Sequence, residues 1–158
     1  MGFLLNSNTL PEPEVDQILF AATHEAGHAV AFKAAGVRVR KLEVWAPKSH
    51  AHSAHGICDV DESQIPDMGA FLLGILAGDV AECRWLMRYH GHTSHTARRE
   101  LASGSASDLA KFHEHSAGKF REAKVRRKAE SFVWWNWGRI ERLGKKLARK
   151  RSLRGSAV

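Results

Sequence analysis

The stretch Thr23–Ala29, THEAGHA, sets two histidines four residues apart with a glutamate directly after the first. That spacing is useful only on an α-helix, where residues i and i+4 stand one turn above each other, so His24 and His28 can offer both imidazoles to one cation. Glu25 then lies beside the first imidazole, placed to take a proton from a water that the cation activates. The surrounding chain supports a helix. From about Glu14 to Ala34 it is rich in Ala and free of strong breakers. Pro11, Glu12, Glu14 and Asp16 suit the start of that helix, and Gly36 suits its end. Gly27, between the histidines, weakens the helix, which fits a turn that something must approach closely.

The rest of the chain reads as helices around a little β-structure. VRVRKLEVW, residues 37–45, alternates apolar and charged residues as a half-exposed strand does, and GICDVD, residues 56–61, is a shorter strand able to pair with it. MGAFLLGILAG, residues 68–78, is too short an apolar run to cross a bilayer and is bounded by Asp67 and Asp79. It predicts a buried helix that follows Ile65 and Pro66 and emerges, amphipathic, near Tyr89. Residues 90–107 read as loop. Asp108 opens a further helix, with Ser105 and Ser107 as its capping residues. Residues 121–150 read as one or two basic amphipathic helices, and RSLRGSAV, residues 151–158, as a frayed end. With 158 residues and 44% hydrophobic composition, the expected fold class is α+β, mainly helical, with one core and a small β-hairpin or sheet.

Charge divides the chain. Residues 119–158 hold 14 of the 24 Lys and Arg but three of the 17 acids, giving this segment +11 and the remainder −4. The expected organisation is a core at 1–118 and a basic, Trp-rich helical extension at 119–158. Phe132, Trp134, Trp135 and Trp137 beside that basic face suit an anionic membrane surface or nucleic acid, or else they close the core. MGFLLNSN lacks the basic and apolar regions of a signal peptide, so the expected address is cytoplasmic, peripheral at a membrane if the extension docks there. Cys58 and Cys83 are far apart with no C-x-x-C pairing, which argues against a cysteine zinc site or a disulfide scaffold.

Two histidines do not complete a metal site. A catalytic centre needs a third protein ligand and a fourth position open to water. Glu82 in AGDVAEC and Asp108 in GSASDL are both candidates, and spacing along the chain does not decide between them. His50, His52 and His55, and again His90, His92 and His95, lie in Gly- and Ser-containing segments and read as solvated rather than as a second site. His113 and His115 are two apart on a helix and face different sides.

HEAGHAVAF followed by a strand, then LAGDVAECRW, then SGSASDLAKF, resembles the peptidase domain of the FtsH family of membrane-anchored AAA proteases. The three segments occur in the family's order over about 90 residues. The resemblance implies a zincin-like domain that binds Zn²⁺ through His24, His28 and Asp108, with Glu25 as general base and Glu82 supporting the site from behind. A short acid at a loop-to-helix junction, held by its own backbone, also favours Asp108 over Glu82. The chain departs from the family in having no P-loop, ATPase domain or membrane span, and in carrying Asp79 and Cys83 where the family has an arginine and an acid. The function expected is therefore a zinc-dependent endopeptidase without its own ATPase, acting on flexible or unfolded peptides laid along the strand Leu42–Trp45. The alternative is a catalytically weak protein of the same fold that docks to membrane or nucleic acid through its basic extension.

Overall fold

The computed structural model describes residues 16–46, 54–102 and 104–158. Pro11, Glu12, Glu14, His50 and His52 lie outside them. The first helix, α1, spans Gln17–Ala34. Asp16 caps it by accepting a hydrogen bond from the Leu19 N–H at 3.0 Å, and Gly36, at φ +74°, turns the chain out of it. Strand β1 (Val39–Trp45) follows, then β2 (His55–Val60), antiparallel to it with Leu42 opposite Cys58. Helix α2 spans Met68–Tyr89, capped by Asp67, which accepts from the Ala70 N–H.

Helices α1 and α2 form the centre, and small residues let them approach. A Cβ on Gly27 would stand 2.6 Å from the Ala77 carbonyl oxygen, so the glycine between the two histidines marks where α2 backbone crosses α1. Ala22, Ala26 and Ala29 are fully buried on α1, as are Phe71, Leu72 and Ala77 on α2.

The segment expected to be loop contains a further helix, α3 (Ser94–Leu101). Its start is a capping box between Thr93 and Thr96, and it buries only Ala97 and Leu101, one turn apart, so its apolar stripe is too short to stand out in the sequence. Helix α4 (Ala106–Ser116) begins two residues before Asp108. Ser105 does not cap it with its side chain; its hydroxyl donates to Asp79 instead.

Residues 122–150 form one helix, α5 (Glu122–Lys150), which packs on both α1 and α2. Val125, Ala129, Val133, Trp137, Ile140, Leu143 and Leu147 are its buried face, in the same core as α1 and α2. Trp137 is 6% exposed, whereas Trp134 and Trp135 are 62% and 83% exposed, so the tryptophans divide between core and surface.

The end expected to fray is ordered. Strand β3 (Ser152–Arg154) pairs antiparallel with β1, with buried Leu153 opposite Leu42. The sheet order is therefore β2-β1-β3. Strand β1 is central, with both edges paired, and is not the open edge that its sequence suggested. Among the described residues that edge belongs to β2. Also among them, no helix is long and apolar enough to cross a membrane. The architecture is α+β, mainly helical, with a small three-stranded antiparallel sheet.

Candidate metal centre

Because α1 is a regular helix through residues 24–28, His24 and His28 project to one side, their Nε2 atoms 2.8 Å apart. The start of α4 brings Asp108 to the same point. Its Oδ2 lies 3.1 Å from His24 Nε2 and 3.4 Å from His28 Nε2. Among the described residues this is the one group of three or more His, Cys, Asp or Glu side chains close enough to share a cation. His90, His92 and His95 are not gathered in that way.

The elements behind the trio fix its orientation. His28 Nδ1 donates to the Gly74 carbonyl of α2 at 2.8 Å, which keeps the proton on Nδ1 and leaves the Nε2 lone pair facing His24 and Asp108. His24 Nδ1 faces Glu82 Oε2 at 3.2 Å, out of line for a full hydrogen bond. Glu82 thus stands behind His24, while Asp108 stands in front. Gly78, also on α2, supplies space: a Cβ there would lie 2.4 Å from His28 Nε2 and 2.8 Å from His24 Nε2.

Electrostatics follow from the geometry. Burial disfavours the charged form of His24, but Glu82, Asp108 and Glu25 outweigh it and hold its pKa well above the ordinary imidazole value. Burial also acts against an ionised Asp108, yet the imidazoles of His24 and His28 beside it prevail and hold its carboxyl far below the usual carboxylate range. Glu25, 6% exposed, is moved the other way. Burial raises its pKa, and the neighbouring histidines only partly offset that.

Glu25 is confined from the far side by β2. A Cβ on Gly56 would stand 2.5 Å from Glu25 Cγ and 2.6 Å from its Oε1, so only glycine leaves room for this carboxylate. Nothing in the sequence marked Gly56 or Gly78, because each matters through a side chain it lacks, opposite a residue remote in the chain.

The trio opens into a cleft of about 780 Å³. Phe20, Ile57, Leu86 and Leu101 give it apolar walls, with Glu100 and Lys111 at polar positions. One wall is the outer edge of β2. The Val44 N–H donates to the Arg151 carbonyl on the β3 side of the sheet. In an antiparallel ladder successive residues alternate, so Lys41 and Glu43 face β2 and bond their partners Asp59 and Ile57. That leaves the backbone groups of Gly56 and Cys58 on the outer edge, and both residues line the cleft.

The donor set fits zinc. Two imidazoles and a carboxylate, mutually 2.8–3.4 Å apart, match three corners of a tetrahedron whose edge is about 3.3 Å for ligands about 2.0–2.1 Å from the ion. A Cβ at Gly78 would crowd both imidazole donors of that cradle.

Behind the centre, a second buried cluster ties α5 to the ligand-bearing segment. Arg126 Nη1 donates to Asp79 Oδ2 at 2.5 Å, and Ser105 Oγ donates to Asp79 Oδ1 at 2.6 Å. All three residues are at most 7% exposed. The basic segment thus supplies the partner for the acid at position 79. Comparison of the sequence with protein-family models finds no match, and comparison with curated proteins finds no significant relative.

Proposed function

We propose that this chain is a zincin-like, zinc-dependent endopeptidase that acts on extended, unfolded peptide without an ATPase of its own. The observation that carries the reading is the convergence of His24, His28 and Asp108 at 2.8–3.4 Å with Glu25 beside them, on the wall of an open cleft. Zinc held by the three donors would supply Lewis acidity, polarising a carbonyl and acidifying a water.

The remaining steps belong to the chain's own groups. A peptide laid along the outer edge of β2 hydrogen-bonds the backbone of Gly56 and Cys58 as an added strand, which presents its carbonyls to the cleft in a fixed register. Glu25 removes a proton from the attacking water as its oxygen bonds the scissile carbon. It then returns that proton to the amine nitrogen as the C–N bond breaks. Glu82 and the Gly74 carbonyl hold the two imidazoles from behind, so the ligands need not reorganise. Backbone already paired inside a folded protein cannot add to this edge, so loose segments are the substrates that fit it.

Two variants test the reading together. Glu25→Gln is expected to lose hydrolysis of an unfolded test protein by at least about 10²-fold, with zinc content and circular dichroism unchanged. Asp108→Ala is expected to lose zinc and activity together. Full activity in Glu25→Gln would remove the general base from the reading, and full zinc content in Asp108→Ala would remove the third ligand.

A further inference from the structure

The solvent side of α5 carries a second kind of chemistry, away from the cleft. At 100° per residue, Lys124, Lys128, Trp135, Arg139 and Arg142 fall within an arc of about 60°. All five are exposed. The acids of α5, Glu122, Glu130 and Glu141, lie outside that arc, and Glu141 is engaged by the Tyr89 hydroxyl and by Lys145 at 3.6 Å. Trp135 is 83% exposed at the middle of this basic strip, with Arg139 one turn after it and Lys128 two turns before it.

The apolar surface continues onto α2. Trp134 is 62% exposed, and Met87 and Tyr89, at the end of α2, are 43% and 44% exposed. Arg84 lies over the Trp134 ring at 4.1 Å and Arg88 over the Tyr89 ring at 5.7 Å. These side chains border the basic strip on its α2 side: Trp134 projects about 100° from Trp135 and within about 40° of Glu130 and Glu141, and Glu141 accepts from the Tyr89 hydroxyl. Solvated lysines and arginines alone would not require exposed tryptophans among them, and such a patch marks a contact surface.

We propose that the basic strip of α5 around Trp135 docks the protein on an anionic membrane surface, with Trp134 at its margin. The cations meet lipid phosphates, and the indoles enter the headgroup layer, where an apolar ring with one polar N–H is best accommodated. A nucleic acid fits less well. Its bases would need a continuous stacking platform, but Trp134 and Trp135 project about 100° apart on the helix, and Arg84 already covers a face of Trp134. Met87 and the edge of Trp135 would also gain little from a phosphate backbone. The proposal does not depend on the metal centre.

Co-sedimentation of the full chain tests it, using vesicles of phosphatidylcholine alone and of an equimolar mixture with phosphatidylglycerol, at low and high salt. The expected result is binding to the mixed vesicles only, abolished by high salt. Arg139→Ala and Arg142→Ala should each weaken it about fivefold. Trp135→Ala should weaken it too, with circular dichroism unchanged, because the ring contributes nothing to the core. Absence of vesicle binding at low salt overturns the proposal, as does binding that all three substitutions leave intact. Binding of single-stranded RNA without binding of vesicles would assign the face to a nucleic acid instead.

Discussion

At the scale of single residues, the centre depends on side chains that are present and on two that are missing. His24, Glu25 and His28 were legible because helical spacing alone brings them together. Asp108 was favoured by the resemblance of its segment and by its place at a loop-to-helix junction, since it lies 80 positions after His28 and spacing left Glu82 equally open. The structure sets them on opposite sides of His24, Glu82 near Nδ1 and Asp108 near Nε2. The two glycines give separable expectations. Gly56→Ala presses on Glu25 and should lower turnover by about 10²-fold, as a displacement of roughly 1 Å at a catalytic group does, while zinc content holds. Gly78→Ala presses on both imidazoles and should weaken zinc binding by at least about 10-fold. Metal analysis beside turnover distinguishes them: zinc loss in Gly56→Ala, or full zinc affinity in Gly78→Ala, would contradict these roles.

At the scale of elements, β1 was readable from its alternation, α1 from an Ala-rich run free of breakers between helix-start and helix-end residues, and α2 from a long apolar run that follows Pro66. Helix α3 and strand β3 were not. Each buries one or two side chains, Ala97 and Leu101 in the first and Leu153 in the second, and that burial exists only because α2 and β1 are there to receive them. Because β3 covers one side of β1, the open edge passes to β2, beside Glu25. Helix α5 shows a similar dependence. Its charge suggested an extension, but its apolar face is part of the core, and Arg126 neutralises Asp79 directly behind the segment that carries Asp108. Arg126→Ala leaves Asp79 buried without its cation and should cost about 3–5 kcal/mol in urea unfolding. Replacing both, as Asp79→Leu with Arg126→Met, should recover most of that loss. A single substitution with unchanged stability would show that the pair is solvated and does not anchor α5.

At the scale of the whole molecule, two separate surfaces carry the two proposals: a cleft at the meeting of α1, α2, α4 and β2, and the basic aromatic side of α5. The cleft has an open strand edge and apolar walls, and the proposed substrate is an extended peptide added to that edge. The division into a core and a basic extension reflects composition, whereas burial follows the faces of α5 and ignores that boundary. The most direct measurement of the central claim is a mass-spectrometric digest of reduced, unfolded proteins by the zinc-loaded chain, without nucleotide, alongside the same proteins kept folded. New peptide termini from the unfolded set, absent from the folded set and after chelation, are the predicted result. One equivalent of zinc bound at His24, His28 and Asp108, with the unfolded set left intact, would contradict the claim.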